Sequence, residues 1–161
     1  DFLVVRTAPY DDYKNGVDNL ILDRITGEVV GAFDEVHEGG DGRRTKEKET
    51  KIQKIDLQGG AKIRYGLKLV DGKLTRASLE GVPVFYLGLE SSELMELMQG
   101  LGENDSQKTE KIFRKLLASL ATQHALLERS VNASSLRTRL ASFGQTLSRL
   151  NSGERKRENI K

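Results

Sequence analysis

Cysteine is absent, which removes disulfides, thiolate zinc sites and cysteine nucleophiles at once and fits a reducing, cytoplasmic setting. Histidine is nearly absent: His37 and His124 are too few for a multi-histidine metal centre. No apolar run approaches the roughly 20 residues of a membrane span, and no charged-then-apolar leader opens the chain, so no membrane association is expected. The chain starts at Asp1 inside an apolar stretch, the pattern of a trimmed or partial protein with an N-terminal element missing. Aromatic residues make up 6% without an aromatic-rich strand, which argues against a base-stacking sheet of the RNA-recognition type. No glycine-rich loop leads into Lys-Ser or Lys-Thr, Gly39-Gly40-Asp41-Gly42 lacks the strand-to-helix grammar of a nucleotide fold, and no serine elbow is present.

What is present suffices for a real core. The 161 residues (17.9 kDa) are 37% hydrophobic, enough for one domain with a helical appendage. The net charge of +2 conceals an asymmetry: residues 106–161 carry 12 Lys and Arg against 4 Asp and Glu, whereas residues 1–105 carry 14 against 20. The basic part is suited either to a polyanion or to packing on the acidic part.

The most informative stretch is 16–38, GVDNLILDRITGEVVGAFDEVHE. Two apolar runs, Val17 to Leu22 and Val29 to Val36, flank Thr26-Gly27 and predict a β-hairpin. Asp18 opens the first strand and Asp34-Glu35 close the second, so folding brings them to one end. Converging carboxylates repel unless a proton or cation lies between them. A two-residue loop sets Asp18 against Glu35; a three-residue loop with a bulge sets it against Asp34. The same acids also suit a solvated strand end that resists edge pairing.

In chain order, Asp1 to Thr7 predicts a short strand and Tyr10 to Gly16 a turn, in which Asp11 and Asp12 either cap the turn or stand as outer acids of a metal site. The lysine-rich run Arg43 to Leu57 predicts a mostly exposed helix ended by Gly59-Gly60. Ala61 to Val70 and Lys73 to Leu79 predict a hairpin about Asp71-Gly72, and Val84 to Leu89 a central strand buried on both faces. Ser91 to Gly102, about Gln107 to Val131, and Ser134 to Leu150 predict helices, the last two forming an antiparallel pair. His124 falls among apolar neighbours and reads as a packed histidine.

The runs YDDYKNGVDNLIL and VVGAFDEV, the helix KEKETKIQKI and the strand after Val82-Pro83 together resemble small proteins related to the PD-(D/E)xK nuclease superfamily, over roughly Tyr10 to Leu89. The resemblance implies a restriction-endonuclease-like mixed sheet of about five strands flanked by helices. In it, an Asp at the start of one strand and an Asp or Glu on the next bind Mg²⁺ or Mn²⁺. Asp18 resembles the first acid, and Asp34 the second with Glu35 as its rival. The motif's lysine position falls on Val36 or His37, and a lysine displaced onto the following helix takes its place: Lys51 first, with Lys54 and Lys48 beside it. The acid that a preceding helix contributes in that superfamily finds no match.

The expected organisation is an α/β (α+β) nuclease-like core over 1–102, a helical hairpin packed on it over 103–152 and a basic tail over 153–161. The expected function is metal-dependent hydrolysis of nucleic acid, or an inactive relative that keeps the fold. The alternative is a non-catalytic module that binds a protein or dimerises through the C-terminal helices.

Overall fold

The computed structural model describes residues 2–38, 43–102 and 105–152. The glycine break at 39–42, the junction at 103–104 and the basic tail lie outside the described residues. The chain runs β1 (Phe2–Arg6), α1 (Pro9–Asn15), β2 (Asn19–Asp23), β3 (Val29–Glu38), α2 (Arg43–Leu57), β4 (Ala61–Val70), β5 (Lys73–Val82), β6 (Val84–Glu90), α3 (Ser91–Gly102), α4 (Ser106–Ser130) and α5 (Ser134–Asn151). β1, β2, β3 and β6 form a mixed sheet in that order, antiparallel except for the parallel pair β3–β6. β4 and β5 pair only with each other.

The protein is therefore α+β, with a four-stranded mixed sheet, a two-stranded sheet and five helices among the described residues, rather than one sheet of about five strands. The hairpin β4–β5 lies within the long crossover that a parallel β3–β6 pair requires. Its turn is as expected, with positive φ at both Asp71 (49°) and Gly72 (73°).

Two expectations are corrected. Tyr10 to Gly16 is largely helix: Pro9 sits in the first turn, where its missing N–H costs nothing, Asp11 and Asp12 oppose the helix dipole, and Gly16 closes the helix in the left-handed conformation (φ 63°). Seven residues are too few to show an apolar period, so composition alone suggested a turn. β6, expected at the centre, lies at the sheet edge. Side chains occupy that edge in place of a strand: the Val84 N–H donates to Asp56 Oδ1 (3.0 Å), the Tyr86 N–H to Gln123 Oε1 (3.0 Å) and the Glu90 N–H to Glu93 Oε2 (3.0 Å), while Gln123 Nε2 donates to the Tyr86 carbonyl (2.9 Å).

The two faces of the sheet bury different partners. One core joins Val17, Leu20, Leu22, Ala32 and Val84 to Ile52 of α2 and to Ile63 and Leu79 of the small hairpin. The other joins Ile21, Phe33 and Phe85 to Leu117 and Leu120 of α4 and Leu136, Leu140, Phe143 and Leu147 of α5. The C-terminal helices are thus a layer of the domain, with their apolar stripe packed against the sheet. His124 is buried there, with Nε2 2.8 Å from the Leu140 carbonyl and its ring against Phe143.

Asp23, 2% exposed at the end of β2, ties α5 to the sheet. Burial pulls its pKa upward, but the Ile25 N–H, the Arg149 guanidinium and the Thr146 hydroxyl outweigh this and hold it below the ordinary value. Asp23→Ala is expected to lower stability by about 3 kcal/mol, because it leaves a half-buried guanidinium without its counter-charge. Urea unfolding at neutral pH measures this, and a loss below about 1 kcal/mol would mean that the pair holds nothing together.

Candidate functional site

The alternation of β2 and β3 decides which side chains meet. Asn19 pairs with Phe33, Leu20 with Ala32 and Ile21 with Gly31, but Leu22 pairs with Val29, so Val30 is an extra residue that rephases the strand. The Asp23 N–H donates to the Glu28 carbonyl (2.9 Å), which leaves a four-residue loop, Arg24 to Gly27, longer than either loop read from the sequence. Beyond the bulge the register carries Asp34 alongside Asp18. Both side chains lie on the α2 face with Leu20 and Ala32.

Asp18 is held on both sides. The Thr7 hydroxyl donates to the carbonyls of Val17 (2.5 Å) and Asp18 (3.1 Å), the Thr7 N–H donates to the Asp18 carbonyl (2.9 Å), and Val17 is fully buried. Asp18 Oδ2 accepts the Glu35 N–H at 3.0 Å. Asp34 is 6% exposed on β3, and its Oδ1 accepts from Lys48 Nζ at 2.7 Å. Lys48 Nζ also donates to the Glu35 carbonyl (2.9 Å).

The two carboxyls are driven apart in acidity. Burial first, and then the hydrogen bond and charge of Asp18, push Asp34 up to about 6 against the opposing pull of Lys48. Burial also pulls Asp18 upward, but its hydrogen bonds with Asp34 and the Glu35 N–H, and the Lys48 charge, bring it below the ordinary value. Below about pH 6 such a pair without a cation shares one proton, and above it the two charges repel.

Glu35, the rival second acid, is not part of this cluster. Its side chain leaves by the opposite face of β3, where Asn19 Nδ2 donates to Oε1 (2.9 Å); only its backbone N–H and carbonyl reach the site. The lysines of α2 differ in placement. Lys48 contacts the acids, whereas Lys51 is exposed and places its ammonium over Gly16, where an added Cβ would come within 2.5 Å of Nζ. The signal for Lys48 was present in the spacing: four residues before Ile52 and seven before Ile55, it lies on the inward stripe of α2. The Val36 and His37 side chains lie outside the described residues.

Helix α1 brings one of the two acids read as outer acids beside Asp18. Asp12 is a hydrogen-bonding neighbour of Asp18, so an acid from a preceding helix does reach the pair. Asp11 is fully buried and accepts the N–H groups of Arg64 and Tyr65 (both 2.9 Å) and the amide of Asn15 (2.7 Å), which fixes α1 on β4. Among the described residues no three His, Cys, Asp or Glu side chains converge as a ready metal cluster. The donor set nevertheless fits Mg²⁺ or Mn²⁺, which are held through one or two carboxylates, with waters and substrate phosphate completing the shell. Asp18 and Asp34 provide two hard oxygen donors whose mutual repulsion a cation relieves. Among the described residues no helix is long and apolar enough to cross a membrane. No protein-family model matches the chain, and neither does any curated protein or solved structure.

Proposed function

We propose that this protein is a metal-dependent phosphodiesterase acting on nucleic acid, of the PD-(D/E)xK kind. The observation that carries this reading is the constellation of Asp18 at the start of one strand, Asp34 on the next and Lys48 against Asp34, on one face of a mixed sheet flanked by helices. Asp18 and Asp34 would hold the cation. When bound, Mg²⁺ or Mn²⁺ supplies a Lewis acid for the phosphate and lowers the pKa of a water.

The chain's own groups do the rest. The Thr7 clamp and the Glu35 N–H fix the Asp18 carboxylate, so the pair is preorganised before substrate arrives. The Lys48 ammonium, 41% exposed along its side chain, is held beside Asp34 yet open to solvent, where it meets the negative charge that grows on a phosphate oxygen.

Thermal unfolding with and without Mn²⁺ tests the reading. The parent is expected to gain about 3–8 °C at a metal concentration tens of times the Kd. Asp18→Asn/Asp34→Asn is expected to show no gain and no cleavage of a labelled oligonucleotide. A parent that neither responds to metal nor cleaves would make the acids ordinary strand-end charges.

A further inference from the structure

Three tyrosines that are scattered in sequence are gathered on one surface. Tyr10 and Tyr13 stand one turn apart on α1, 42% and 84% exposed. Tyr65 of β4 meets Tyr10 edge to face, with ring centroids 5.7 Å apart. The Arg64 guanidinium lies 5.4 Å from the centroids of both Tyr10 and Tyr65, and that of Arg76 lies 5.6 Å from Tyr65. Such planar groups are preordered by one another, and the rings retain open surface.

The charge around them is also distinctive. Hairpin residues 61–82 carry five Lys and Arg against two Asp and Glu, although residues 1–105 as a whole are acidic. Of those two acids, Glu80 is paired with Lys62 (3.4 Å). Asp11 is fully buried, its carboxylate held by the Arg64 and Tyr65 N–H groups. Exposed rings beside guanidinium groups suit a polyanion with accessible base faces. A duplex hides those faces in its stack, whereas an unpaired strand presents them.

We propose that Tyr10, Tyr13, Arg64, Tyr65 and Arg76 form a binding surface for single-stranded nucleic acid, on which bases stack while the arginines meet phosphates. Helix α1 links this surface to the acid pair: Asp12 is beside Asp18, and Tyr13 is the next residue. Presentation of the strand for cleavage rests on the nuclease reading; the binding does not.

Fluorescence anisotropy in EDTA, with labelled oligo(dT) and oligo(U) of about 12 nucleotides and a blunt duplex of the same length, tests the proposal. The parent is expected to bind a single strand at least ~10-fold more tightly than the duplex. Tyr13→Ala is expected to weaken single-strand binding by ~5-fold or more, and Arg64→Gln/Arg76→Gln by ~10-fold or more with a shallower salt dependence. These exposed positions should leave the melting temperature unchanged, so lost binding is not lost folding. Equal affinity for oligo(dT) and oligo(U) assigns recognition to rings and phosphates alone, and a preference for one adds a contact to the sugar; both support the surface. Equal affinity for duplex, or substitutions without effect, overturns it. A parent stabilised by Mn²⁺ that fails to bind either oligonucleotide overturns this proposal while the nuclease reading stands. A parent that binds oligo(dT) through these residues but ignores Mn²⁺ supports the surface and removes the nuclease reading.

Discussion

Lys48→Ala is expected to lower metal-supported cleavage by about 100- to 1,000-fold, the usual effect of removing one positioned electrostatic donor from a transition state. Lys51→Ala is expected to leave the rate unchanged. The contrast follows from geometry: Lys48 Nζ is 2.7 Å from Asp34 Oδ1, whereas the Lys51 ammonium lies over the end of α1. Lys48→Ala should retain the Mn²⁺-dependent rise in melting temperature, because the two carboxylates remain. Single-turnover cleavage and thermal unfolding of the two variants separate the roles. Full activity in Lys48→Ala, or its loss in Lys51→Ala, would return the role to the lysine that the sequence favoured.

Asp56→Asn is expected to have the largest effect on stability, and its sign depends on pH. Asp56 is 1% exposed in the last turns of α2; Oδ1 accepts the Val84 N–H (3.0 Å), and Oδ2 has no hydrogen-bond partner. Burial pushes its pKa up to about 7, despite the opposing effect of that hydrogen bond. Above the unfolded value of about 4 the unfolded chain has released this proton while the native chain keeps it, so stability falls as pH rises and levels off beyond about 7. Relative to the parent, Asp56→Asn should therefore gain about 1.4 kcal/mol per pH unit over that window, to a total of about 4 kcal/mol. Urea unfolding of both proteins at several values between pH 5 and 8 measures the difference. A difference that does not change with pH would show that Asp56 stays ionised in the native state.

Local rules reached far in this chain. Asp105 accepts the N–H groups of Gln107 and Lys108 (2.9 and 3.3 Å) and caps α4, and α2, α3 and α5 run close to their apolar periods. The Asp71-Gly72 turn and the meeting of Asp18 with an acid of β3 were likewise legible, because capping, turn chemistry and side-chain alternation act over a few residues. Those rules stopped at Val30. A bulge adds one residue to one strand and leaves no mark in composition, yet it selects Asp34 over Glu35 by exchanging the faces of β3.

The remaining features depend on contacts between residues distant in sequence. Amino-acid order alone determined where the strands and the helices α2 to α5 form, though not α1, and that carboxylates collect at one end of a hairpin. Tertiary packing alone decided that Lys48 faces them, that Asp12 joins Asp18 from α1, that β6 ends the sheet with Gln123 and Asp56 along its edge, and that Tyr10, Tyr13 and Tyr65 share a surface. The physical reason is one of range. Periodicity assigns a side chain to a face of its own element, whereas which face meets which neighbour is set by burying two separate apolar clusters on opposite sides of one sheet.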